Sequence, residues 1–93
     1  SYVRAVIRLT PENHELIVSS AMNLFDELSG HQAPFTGRNF RGLRSVNKQL
    51  IEWQAEQGSE DLAKPFVSRL ASLCERQEAG SVELENCRSL ATS

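Results

Sequence analysis

Apolar residues in this chain return every three or four positions, in segments that proline and glycine keep short. A 3.6-residue period with regular breaks is the mark of several amphipathic helices; strands instead alternate inward and outward residues. Across residues 11–28 the stripe is Ile17, Ala21, Leu24 and Leu28, widened by Val18 and Phe25. Thr10-Pro11 predicts its start, with Thr10 as N-cap and Pro11 at the first helical position. Glu12 and Glu15 suit the positive end of that helix, and Gly30 predicts a left-handed cap after it.

The connection 30–39 contains Gly30, Pro34 and Gly37 and cannot be helical throughout. Phe35 and Phe40 are expected to pin it to the core. The next stripe, Phe40, Leu43, Val46, Leu50, Ile51 and Trp53, predicts a helix over about 40–57, ended by Gly58. Pro65 would break any helix begun at Ser59, because it lacks the N–H an interior turn needs. A turn is therefore expected at 59–63 and a helix at 65–78, burying Phe66, Leu70, Leu73 and Cys74, with Gly80 behind it. Ser81 opens a last helix over about 82–91, with Leu84, Cys87 and Leu90 or Ala91 inward.

Residues 2–9 (YVRAVIRL) read two ways. As a strand, Val3, Ala5, Ile7 and Leu9 share one face and Arg4 and Arg8 the other. As a helix, Tyr2, Ala5, Val6 and Leu9 form a stripe. A lone strand needs a partner, and the rest of the chain offers none, so the helix is favoured and the strand requires a second subunit. The expectation for residues 1–93 is one all-α domain, a small bundle of four to five helices, with a short N-terminal strand pairing across a dimer as the alternative.

A single core suits this length, which leaves no room for a deep cleft between two domains. Apolar residues are 40% and charged residues 24%, values of an ordinary globular chain. The formal charge of −2 speaks against wholesale binding of nucleic acid or anionic membrane. No apolar run is long enough for a membrane span, and the first residues do not resemble a signal peptide. A start at Ser1 is what a piece of a longer protein would show, and the expected location is the cytoplasm.

Catalytic chemistry finds little footing. His14, His31, Cys74 and Cys87 lack metal-ligand spacing. Ser19 and Ser20 have no base in a recognisable context, and neither a phosphate-cradling glycine loop nor a nucleophile elbow is present. Two cysteines outside a CxxC pair, among apolar neighbours, are expected to be reduced, buried thiols, with a single bridge between them as the minority reading. No enzyme activity, cofactor or metal is expected.

The feature with functional content is basic. Arg38, Arg41, Arg44 and Lys48 recur at three, three and four residues. At about 100° per residue they fall within about 120° of one helix face, opposite Leu43, Val46 and Leu50. Arg38 and Arg41 crowd the expected N-terminus, where the dipole disfavours cations. Broken local rules of this kind concentrate at functional sites. The competing reading leaves these cations merely solvated or pairs them with Asp26 and Glu27 of the preceding helix.

The segment VRAVIRLTPENHELI resembles the opening of ribbon-helix-helix DNA-binding proteins. The resemblance implies a strand that pairs with that of a second subunit and enters the major groove. Arg4 and Arg8, with Val6 between them, would then contact bases. Taken together, the residues favour a non-enzymatic helical adaptor or assembly module that binds an acidic protein partner through Arg38, Arg41, Arg44 and Lys48 and the adjoining 30–39 connection. The ribbon-helix-helix reading is the alternative, and a homodimer of the bundle is a third option.

Overall fold

A computed structural model describes residues 2–30 and 35–91, excepting the side chains of Leu28, Ser29 and Ala91. Five helices follow one another: α1 Tyr2–Leu9, α2 His14–Ser29, α3 Gly37–Glu56, α4 Lys64–Glu75 and α5 Val82–Ala91. Among the described residues there is no strand. The bundle expected from the apolar periods is the architecture that forms, with α1 its fifth helix.

The chain makes α1 helical by burying Val3 and Val6 and half-burying Ile7, one stripe at three- and four-residue spacing. This differs from the stripe expected for the helix: Tyr2 is 69% and Leu9 80% exposed. The strand implied by the ribbon-helix-helix resemblance does not form. In a helix Val3, Val6 and Ile7 share one face that packs on α2 and α3, so the segment needs no second subunit to bury its apolar side chains.

The start of α2 also moves. Thr10 terminates α1: its N–H and its hydroxyl both donate to the Val6 carbonyl, at 2.8 and 3.0 Å. Pro11 and Glu12 form the turn, and Asn13 is the cap, its Oδ1 accepting from the Leu16 N–H at 3.2 Å. The expected start at Pro11 fails because Thr10 is committed to the preceding helix.

At the other boundaries, α3 begins at Gly37 rather than near residue 40, and α4 ends at Glu75 rather than 78. Gly30 forms a turn without left-handed backbone; Gly37 opens α3 at φ 56°, and the left-handed glycines that follow helices are Gly58 and Gly80, at φ 73° and 78°. Each lets the chain leave a helix in a conformation that side-chain-bearing residues avoid. Ser81 caps α5 through its hydroxyl, which accepts from the Leu84 N–H at 3.1 Å.

One core runs through all five helices. Phe25 of α2 meets Phe66 of α4 edge to face, 5.4 Å between ring centres. Leu43, Val46, Leu50 and Trp53 of α3 lie beneath them, and Leu70 and Leu90 close the α4–α5 side. Of the expected core, Val18, Leu24, Phe40, Ile51, Leu73 and Leu84 are only half-buried. The inward placements expected of the Leu28 and Ala91 side chains lie outside the described residues. Polar bridges hold the connections: Trp53 Nε1 donates to the Pro11 carbonyl at 2.8 Å, and Asn86 Nδ2 donates to the Phe35 carbonyl at 2.8 Å. Buried Asn47 donates through Nδ2 to the Leu90 carbonyl at 3.1 Å, tying α3 to the end of α5.

Cys74 and Cys87 form a disulfide, which corrects the expectation of two reduced thiols. Their inward faces, each read as a core position, point at one another once α5 folds back on α4. The Cα atoms come within 5.5 Å, inside the range a disulfide spans. Spacing in the sequence carries no trace of this convergence.

Candidate functional site

Twenty residues make α3 the longest helix, and one side of it is committed to the core. Leu43, Val46, Asn47, Leu50 and Trp53 are buried. The opposite sector carries Arg38, Arg41, Arg44 and Lys48, all exposed. Because α3 starts early, Arg38 and Arg41 lie inside its first turns, so all four belong to one continuous helix face. The N-cap Thr36 makes no side-chain cap hydrogen bond, and the first turn holds no acidic residue. Cations there oppose the helix dipole, at a cost of typically 0.3–1 kcal/mol each within the first turn.

No ion pair with any of the four is found among the described residues. The competing clamp to Asp26 and Glu27 is not what forms. Asp26 pairs with Arg69 of α4, a surface bridge with both side chains about half exposed, and Glu27 is exposed. Arg44 lies over the Phe40 ring, 5.5 Å from its centre, a contact that holds the guanidinium in place without neutralising it. Beside it runs a groove of about 350 Å³ lined by Arg44, Asn47, Lys48, Ile51 and Glu52. Of the 30–39 connection, residues 31–34, which include His31, lie outside the described residues.

A second, smaller groove of about 210 Å³ separates α1 from α3. Arg4 and Arg8 line it together with Glu52 and Glu56. The carboxylates on the facing helix offset the potential of the two arginines, which removes the uniformly positive surface that phosphate binding requires. Gln49 lies in the same groove, its Nε2 donating to Ser45 Oγ at 3.0 Å, while its buried Oε1 is without a partner among the described residues.

The exposed face of α3 continues past Lys48. Arg44, Lys48, Glu52 and Glu56 stand at four-residue intervals in one row. Glu52, Glu56, and then Glu60 and Asp61 in the turn after α3, are all exposed. That row was visible in the sequence as a four-residue repeat that changes sign. It escapes notice when only the basic residues are counted.

His14 packs edge-on against Trp53, 5.4 Å between ring centres, and its Nε2 lies 3.0 Å from Gln57 Oε1. Among the described residues, no three His, Cys, Asp or Glu side chains converge as metal ligands would. None of their helices is long and apolar enough to cross a membrane. No protein-family model, curated protein or solved structure matches the chain.

Proposed function

We propose that this domain is a non-enzymatic helical interaction module, an adaptor or assembly unit, that binds an acidic protein surface through Arg38, Arg41, Arg44 and Lys48. One observation carries the reading. Four cations share one exposed helix face, and none of them is in an ion pair among the described residues, Asp26 being paired with Arg69. Arg38, in the first turn of α3, is charged against the helix dipole, and an external anion recovers that cost.

The disulfide bears on where such a module works. Disulfides persist in oxidising compartments and are rare in the cytosol. Cys74 and Cys87 are both buried, so the bridge reads as structural, and it favours an oxidising compartment over the cytoplasm.

The test is a titration of the labelled domain with a Glu-rich peptide, and separately with a short DNA duplex. Chemical shifts should move at Arg38, Arg41, Arg44 and Lys48 on addition of the peptide. Arg41→Glu/Arg44→Glu should weaken that binding by about tenfold or more, the equivalent of ~1.4 kcal/mol. Equal binding by this variant would overturn the proposal. So would tight duplex binding abolished by Arg4→Ala/Arg8→Ala, which is the result the ribbon-helix-helix alternative expects.

A further inference from the structure

We infer that the partner of the α3 face is a second copy of this chain, docked antiparallel about a twofold axis between Lys48 and Glu52. The inference rests on the reading of that face as an interaction surface and names its occupant.

The face is a dipolar strip. Its first half carries Arg38, Arg41, Arg44 and Lys48, and its second half Glu52 and Glu56, followed by Glu60 and Asp61 in the adjoining turn. All eight are exposed. Four cations precede four carboxylates along the chain; Glu52 and Glu56 also face Arg4 and Arg8 of α1 across the smaller groove, and Glu60 and Asp61 extend the acidic half into the adjoining turn. At 1.5 Å rise per residue, the centre of the basic group lies about 17 Å from the midpoint of Glu52 and Glu56. That exceeds the Debye length of ~8–10 Å at physiological ionic strength, so a docking surface meets two separate poles.

A uniformly acidic partner would match the first pole and be repelled by the second. The complementary surface must run acidic then basic, and this strip turned end for end is such a surface. An antiparallel twofold sets Arg44 opposite the partner copy's Glu56 and Lys48 opposite its Glu52, and each pairing occurs twice by symmetry. Within one helix the order is the weaker one, with Lys48 preceding Glu52 by four residues. Across the twofold every one of these charges meets its opposite, and the two helix dipoles run in opposed directions. Half-buried Ile51, in the groove beside Arg44 and Lys48, supplies an apolar contact next to the row.

Two charge-reversed variants test the pairing by sedimentation equilibrium. Measurements run from about 10 µM to 1 mM, a range suited to a small, polar interface. The parent should dimerise at low salt, and its dissociation constant should rise at least about tenfold in ~0.5 M salt, where the Debye length falls well below the pole separation. Arg44→Glu/Lys48→Glu makes the row wholly acidic and Glu52→Lys/Glu56→Lys makes it wholly basic. Each alone should be a folded monomer by sedimentation and circular dichroism, and an equimolar mixture should form a heterodimer tighter than the parent dimer. A dimer that both variants retain places the contact elsewhere and overturns the inference. A parent that stays monomeric at 1 mM, yet binds the Glu-rich peptide through Arg41 and Arg44, overturns the second copy as partner while leaving the basic face in place. A parent that neither dimerises nor binds the peptide removes both readings.

Discussion

Removing the Cys74–Cys87 bridge is the perturbation whose size the structure sets most directly. The two residues are 13 apart in sequence, so the bridge closes a short loop in the unfolded chain. The chain-entropy relation for such a loop gives about 10 cal/mol/K, or ~3 kcal/mol at 25 °C. A domain of this length is stable by about 5–14 kcal/mol in total, so the bridge supplies about a fifth to three-fifths of it. At the 4–8 °C per kcal/mol typical of small domains, the melting temperature should fall by roughly 12–24 °C. The cleanest comparison is the same chain with and without reductant, unfolded and refolded in each condition and melted by circular dichroism. Cys74→Ala/Cys87→Ala should lose at least as much, because both side chains are buried and their truncation leaves a cavity. Thiol titration of the denatured, unreduced protein should find no free thiol, and two equivalents should appear after reduction. Coincident melts of the oxidised and reduced protein would refute the loop-entropy reasoning. Two free thiols in the unreduced protein would refute the bridge itself.

Three further outcomes follow from the packing. Leu50→Ala and Leu70→Ala should each cost ~2–5 kcal/mol in urea unfolding, because both side chains are 1% exposed. Leu24→Ala, half-buried, should cost only about 1 kcal/mol. Trp53→Phe keeps an aromatic ring but leaves the Pro11 carbonyl without its donor, so a loss of ~1–3 kcal/mol is expected; an unchanged denaturation midpoint would show that bond to contribute nothing. Gly58→Ala and Gly80→Ala should each cost ~1–2 kcal/mol from the left-handed backbone alone, since an added Cβ meets nothing within 4 Å at either site. Equilibrium unfolding checks this, with Gly30→Ala as a control whose backbone is not left-handed.

How far the candidate site was legible varies along α3. Arg38, Arg41, Arg44 and Lys48 could be placed on one face because helical geometry alone sets their angles. Whether that face was free could not be read, since the carboxylates of the preceding helix, Asp26 and Glu27, are sequence neighbours of the loop that leads to it. Only the packing of α2 against α4 shows Asp26 turned to Arg69. The acidic half of the strip was equally present in the sequence, but it acquires meaning only when α3 is seen to continue unbroken from Gly37 to Glu56.

The sequence by itself determined the elements. Period, proline and glycine specify where helices α2 to α5 lie to within a few residues, because backbone hydrogen bonding and apolar spacing are local properties. Tertiary structure decided what depends on partners distant in sequence. Residues 2–9 could have been strand or helix, and they are helix because α2 and α3 offer a surface that covers Val3, Val6 and Ile7 together. Thr10 could have capped the following helix, and it closes the preceding one because the Val6 carbonyl lies within reach. Cys74 and Cys87 were two inward positions on two helices, and they became a bridge because α5 folds back onto α4 at a distance that only three-dimensional packing sets.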